Sequence, residues 1–193
     1  MLSRMTDHDA GGASDPDDAW DAGWAAVEAG ARSRLIEALG LDPDVDEPAP
    51  PGIVPAAAGA RELVGQGAWP LDWVARAAGD LPRDDAAMLL SLLEAVVAPT
   101  HATGLGDGEA LLLILEPDDW VDVTISLVRG GVGAPAAPDA LAGLVEAQDE
   151  LLEPAFGLVV PVWQACGVAD LDQRLTRVGA WLLPRAVEAA LRG

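Results

Sequence analysis

Glu116-Pro-Asp-Asp-Trp-Val-Asp-Val-Thr-Ile-Ser-Leu-Val-Arg-Gly-Gly131 decides whether this chain contains a sheet. With a period of two, Val121, Val123, Ile125 and Leu127 alternate with Asp122, Thr124 and Ser126, as in a half-buried strand. Glu116-Pro-Asp-Asp119 would then be the turn of a hairpin. With a helical period, Pro117 and two Asp open a helix, and Trp120, Val121, Thr124, Ile125 and Val128 share a face. Gly130-Gly131 closes it. The helix is the reading adopted, with the hairpin as its alternative. Residues Glu109 to Glu116 before it are too short and too uniformly apolar to assign by period, so helix and strand both stay open there.

Upstream the punctuation is clearer. Pro16, followed by Asp17 and Asp18, has the form of a helix start, since Pro tolerates the first helical position and carboxylates suit the positive end of the dipole. Trp20, Trp24, Val27, Ala31, Leu35 and Leu39 then recur at spacings of three and four, and Gly40 is the expected stop. Residues 41–55 hold Pro43, Pro48, Pro50, Pro51 and Pro55 among acidic residues, a linker composition. Residues 1–15 read as a disordered acidic leader. Residues 56–193 form the expected globular body, with short helices at Ala56–Val64 and Leu71–Ala78, the second closed by Gly79. A core helix opens at Pro82 and carries Met88, Leu89, Leu92, Leu93, Val96 and Val97 as far as Pro99. A Gly-rich loop follows. Further helices are expected over Asp139 to about Leu152 and over Pro154–Cys166. The fold class is mainly α: a helical bundle with a winged-helix-like C-terminal element and at most a small β component.

Composition sets the class of object. The 193 residues hold 32 Asp and Glu against 11 basic residues, all Arg, for a formal net charge of −21. Duplex binding takes its non-specific affinity from cations that neutralise phosphates, so neither nucleic acid nor an anionic membrane is an expected partner. Yet 51% of the residues are hydrophobic and mean hydropathy is +0.24, too apolar for a solvated tail. GC-rich codon usage accounts for much of the bias. The single cysteine, Cys166, allows no intramolecular disulfide, and a reducing cytoplasm is the expected compartment. Met1 to Asp9 lacks the apolar stretch of a secretory signal. The run Pro154–Ala169 is shorter than the roughly 18 to 20 residues that span a bilayer.

The segment Trp163-Gln-Ala-Cys-Gly-Val-Ala-Asp-Leu-Asp-Gln-Arg-Leu-Thr-Arg-Val-Gly179 has a recognisable order: apolar helix, Gly turn, short polar excursion, then Leu175-Thr176-x-x-Gly179 entering another helix. Thr176 caps that helix. The segment, about 154–193, resembles winged-helix domains, in which a wing strand ends in such a step. Through Trp181-Leu-Leu-Pro-Arg-Ala-Val187 it is also similar to the C-terminal part of uncharacterised actinobacterial proteins, some joined to the Ri-plasmid open-reading-frame-three-like domain. The resemblance implies a mainly helical module with no transferable active site. The aromatic and acidic motifs of the plasmid-type domain are not evident here. Winged helices often bind DNA, but Arg174, Arg177, Arg185 and Arg192 are offset locally by Asp170, Asp172 and Glu188, in a strongly negative chain.

Catalytic constellations are thin. His8 and His101 are the only histidines, and Cys166 ends an apolar helix, where an inert thiol is expected. Gly104-Leu-Gly-Asp-Gly108 lacks the spacing and the cation of a phosphate loop. Asp84-Asp85 and Asp118-Asp119 sit at expected helix starts, where carboxylates need no further reason. Asp42-Pro-Asp-Val-Asp-Glu47 does not match a calcium loop. No catalytic residue, cofactor or metal is assigned. The pairs Trp20/Trp24 and Trp69/Trp73 share a four-residue spacing, and are the candidate partner-binding residues if exposed; core packing is the weightier explanation. The expected function is a non-enzymatic, cytoplasmic protein-interaction or regulatory role, the acidic surface steering toward a basic protein. The alternatives are a nucleic-acid-mimicking inhibitor of a DNA-binding protein and an enzyme of undetected type.

Overall fold

The computed structural model describes residues 16–45, 47–77, 81–98, 105–106, 108–146 and 149–192. The expected leader with His8, the residues Gly79 and Pro99, and the loop positions His101, Gly104 and Asp107 lie outside the described residues. Eight α-helices run through the rest: α1 Pro16–Leu39, α2 Ile53–Gly65, α3 Asp72–Ala77, α4 Asp85–Val97, α5 Pro117–Gly130, α6 Pro138–Ala142, α7 Leu152–Ala165 and α8 Arg177–Ala190. A 3-10 helix, Glu109–Ile114, precedes α5. The chain is mainly helical, and among the described residues its β component is two isolated antiparallel bridges.

The stretch that decides the fold is helical. Asp119 in the first turn of α5 accepts the Glu116 N–H at 2.8 Å, and Gly131, at φ 78°, ends the helix. The strand-like alternation has a packing cause. Helix α5 lies between α1 and α8, so it buries Trp120, Val121, Val123, Thr124 and Leu127 over more than one face. Trp120 meets Phe156 of α7 edge to face at 6.3 Å.

Helix α4 is the central element and packs on α2, α3, α7 and α8. Its buried face is the six-residue set from Met88 to Val97 expected from the period. Each such side chain contributes about 1.5–3 kcal/mol when fully buried. Asp84 starts the helix by accepting the Ala87 N–H at 2.9 Å. Helix α1 ends as expected: Gly40 turns at φ 64° and the Leu41 N–H returns to the Ile36 carbonyl at 3.0 Å.

Several boundaries differ from expectation, and α4 itself begins at Asp85, capped by Asp84, rather than at Pro82. Helix α2 begins at Ile53, after Gly52 at φ 110°, so Pro55 belongs to a first helical turn and the linker is shorter than 41–55. A first-turn Pro loses no intrahelical hydrogen bond. The helix expected over 139–152 stops at Ala142, with Gly143 at its end. Asp149 then accepts the Leu151 N–H at 2.8 Å in the turn before α7, which begins at Leu152, ahead of Pro154.

At the C-terminus, residues 173–176 run between 133–136 and 168–170. They are held by Gly133 N–H to Leu175 O at 2.8 Å, Ala136 N–H to Gln173 O at 2.7 Å and Thr176 N–H to Val168 O at 2.9 Å. Thr176 Oγ1 accepts the Gly179 N–H at 2.9 Å and donates to the Gly167 carbonyl. Gly179 is glycine for a steric reason: a Cβ there would overlap the backbone of Val168.

Helices from the two ends of the chain are joined by a buried carboxylate. Glu188 of α8 accepts from Arg32 of α1, Nε at 2.7 Å, and from Arg192 at 2.7 Å. Burial acts to raise its pKa, but the hydrogen bonds from Arg192 and Arg32 outweigh burial and hold it below the ordinary value of 4.5.

Two outcomes follow for stability. Gly179→Ala is expected to cost at least about 1–3 kcal/mol by overpacking. Gly59→Ala, on an open face of α2, is expected to gain up to about 1 kcal/mol from helix propensity. Thermal melts with opposite shifts check this. Glu188→Gln is expected to cost about 2 kcal/mol at neutral pH by weakening charge-assisted hydrogen bonds. Because the native pKa is depressed, the carboxylate's stabilisation is complete above its unfolded value and is lost as pH falls through its native one. Urea unfolding from pH 7 to 3 should show the wild-type advantage shrinking below about pH 4.5.

Candidate functional site

Helix α1 is anchored unevenly. Its C-terminal half buries Ala31 and Leu35 and is tied to α5 by Arg34, which bonds Asp118 Oδ1 at 2.7 Å, Asp118 O at 3.2 Å and Asp122 Oδ1. Arg129 donates to the Ala38 carbonyl at 3.1 Å, a cation at the negative end of α1. Toward the N-terminus contact thins. Trp20 is 73% exposed and Val27 is exposed. Trp24 is half-buried, donates its Nε1–H to Glu28 at 2.9 Å, and lines a small crevice with Leu113 and Pro117.

The second tryptophan pair has the opposite fate. Trp69 and Trp73 are buried in the core. They present no docking surface, so of the four candidates only Trp20 and Trp24 remain accessible to a partner. The four-residue spacing misleads because Trp69 and Pro70 precede α3, and only Trp73 is on the helix.

Beside the middle of α1, where its free and anchored halves meet, lies a groove of about 780 Å³. Its α1 wall is Ala26, Val27, Gly30 and Ala31, whose small side chains leave room. Its other wall carries Glu116, Asp118, Asp119 and Asp122 from α5 and its approach, with Glu146 beyond α6. Among the described residues Arg34 is the one cation lining it. Burial pushes the Asp119 carboxyl above its ordinary range, and the neighbouring Glu116, Asp122 and Asp118 push the same way against the backbone hydrogen bond from Glu116. Sequence reasoning missed this groove. The signal was present in Asp118 and Asp122 at i, i+4, but nothing in the sequence placed them against residues of α1.

A larger cleft, about 860 Å³, lies between residues 39–50 and α8. Its cations are mostly satisfied internally. Arg185 lies over the Trp181 ring at 4.3 Å and bonds Glu47 at 2.6 Å, and Arg192 is held by Glu188. The groove at α1 therefore has the larger unbalanced charge, though the smaller volume.

The remaining carboxylate pairs have structural partners. Asp84 caps α4, and Asp85 pairs with Arg61 at 2.5 Å. Cys166 is fully buried, and burial pushes its thiol far up, away from nucleophilic chemistry. Among the described residues no three His, Cys, Asp or Glu side chains gather as metal ligands, and no helix is long and apolar enough to cross a membrane. Comparison of the chain with protein-family models, curated proteins and solved structures finds no match.

Asp119→Asn keeps an acceptor for the Glu116 N–H and removes the buried charge. A raised native pKa means that the ionised form weakens the fold above that pKa, and that the penalty is relieved as pH falls. The variant is expected to be more stable by up to about 1 kcal/mol at pH 7, with the gain vanishing near pH 3.5, in paired urea titrations.

Proposed function

We propose that this chain is a non-enzymatic docking protein whose free α1 half and adjoining α1–α5 groove receive a basic segment of a partner protein. The observation that carries it is the groove itself: four carboxylates of one wall and Glu146 against a single cation, facing a wall of small residues, with Trp20 exposed on the same helix. Charge of one sign in a concave surface steers an oppositely charged partner and excludes like-charged ones. An exposed Trp supplies the large contact area found at interface hot spots. Mimicry of nucleic acid is the weaker reading, because Arg34 already neutralises part of the stripe formed by Asp118 and Asp122. The resemblance at the C-terminus contributes no site.

Gly30 gives the sharpest test. A Cβ there meets nothing within 4 Å, so Gly30→Leu is expected to project its side chain into the groove and to gain about 0.8 kcal/mol of helix propensity. Fluorescence anisotropy with an Arg- and Leu-rich amphipathic peptide should show binding that weakens steeply with salt. Gly30→Leu should raise the melting temperature and lose binding. Glu116→Gln with Glu146→Gln should weaken it about fivefold. Binding equal in wild type and Gly30→Leu would remove the groove from the function.

A further inference from the structure

Residues 41–52 carry α1 into α2 across one face of α8, and little ties their middle down. Pro43, Pro48, Pro50 and Pro51 have no N–H to give. The other backbone groups bond close by: Leu41 N–H to Ile36 O at 3.0 Å, Val45 N–H to Asp42 O at 3.1 Å and Glu47 N–H to Val45 O at 3.1 Å. Among the described residues no backbone bond of this stretch reaches α4 or α8. Its middle is exposed, Val45 included. Its ends are fixed: Leu41 packs on the core, and Gly52 lies so close to α8 that a Cβ would sit 2.9 Å from Val178 Cγ2.

Beneath the middle is the cleft of about 860 Å³, with Leu90 of α4 and Ala180, Trp181 and Pro184 of α8 among its apolar lining. Among the described residues one hydrogen-bonded pair crosses it, Arg185 donating to Glu47 at 2.6 Å. Arg185 has its own hold on α8, since it stacks on the Trp181 ring and donates to the Trp181 carbonyl at 2.8 Å. Glu47, on the other side, is a carboxylate 63% exposed. Asp44 attracts Arg192 only through space. An exposed ion pair is a weak tie that salt screens. A segment with so few buried contacts opens locally at far less cost than unfolding the body. Gly40 at φ 64° and Gly52 at φ 110° flank it, and glycine lets the backbone turn there without a Cβ penalty.

We infer that residues 41–45 and 47–51 form a strap that opens and closes over the α8 cleft, hinged at Gly40 and Gly52 and latched by Glu47 on Arg185. Opening breaks one exposed ion pair, leaves Arg185 seated on Trp181 and gives access to the apolar lining. Access to this cleft is thus set by one carboxylate, independently of the α1–α5 groove.

Trp181 supplies the readout. Its Nε1–H is buried without an acceptor among the described residues, as are those of Trp73 and Trp120 in the core. With no hydrogen bond to protect them, solvent exchange of these three indole N–H groups reports access. In NMR of the full chain, exchange at Trp181 is expected to be at least about tenfold faster than at Trp73 and Trp120. Glu47→Gln, at an exposed position, should speed Trp181 about two- to fivefold more, with the core indoles, the α8 backbone amides and the melting temperature unchanged. About 0.5 M sodium chloride should reproduce most of that gain in the wild type and add little to Glu47→Gln. Glu37→Gln removes an exposed carboxylate outside the cleft and should leave all three indoles unmoved. Exchange at Trp181 as slow as in the core, no acceleration in Glu47→Gln, or an acceleration shared by the core indoles or by Glu37→Gln would each overturn the latched strap.

Discussion

The carboxylate of Glu188 holds the two ends of the chain together. A carboxylate that is 6% exposed must be fully paired, and it is paired by Arg32 from α1 and Arg192 from the end of α8. Removing a charge partner from a buried pair is expensive, so this clasp restricts where α1 can lie. The clasp also belongs to a pattern. Arg34, Arg61, Arg129, Arg174 and Arg185 likewise donate to carboxylates or carbonyls elsewhere in the chain. A chain without lysine uses rigid forks that suit such ties. The consequence is electrostatic: with most cations committed internally, the outward charge is more one-sided than the composition alone implies.

The legible parts were those in which local and tertiary preferences agree. Helix α4 had a cap, acidic first-turn residues and one apolar face, and it is the core helix. Helix α1 had Pro at its start and Gly at its end, and its limits match within a residue. For α5 the sequence supported two periods, and the end signals, Pro117 with its acids and Gly131, outweighed the alternation because burial on two sides accounts for both patterns. Boundaries failed where one residue type has two roles. Pro55 and Pro154 each lie inside a first turn, where Pro is tolerated, although their sequence context suits a linker residue and a helix start. Helix α7 begins at Leu152, two residues before Pro154.

The candidate site was less legible because it is a juxtaposition. Small residues on α1 acquire meaning only beside carboxylates some ninety residues later in the chain, and no local pattern reports that contact. Tryptophan spacing shows the same limit. Trp20 and Trp24 occupy one continuous helix that extends beyond its support, so a ring remains in solvent. Trp69 and Trp73 straddle the entry to α3 and turn into the core. Spacing alone does not separate these outcomes; the length of helix relative to the body beneath it does.

That uneven support connects the clasp to the groove. An isolated helix must overcome a costly nucleation step in water. Here the C-terminal half of α1 is nucleated and fixed by Leu35, by Arg32 on Glu188 and by Arg34 on α5. The free half then extends from an existing helix and adds turns without a new nucleus. A partner of the proposed kind would meet a helix already formed, beside carboxylates already positioned, so that much of the ordering cost of association would be absent. The same arrangement explains why glycines are tolerated at Gly23 and Gly30: tertiary anchoring compensates for their weak propensity, and at Gly30 the missing side chain keeps the α1 wall of the groove open. The anchored C-terminal half of α1 thus supports the fold, and the groove begins where that anchoring gives way to the exposed half.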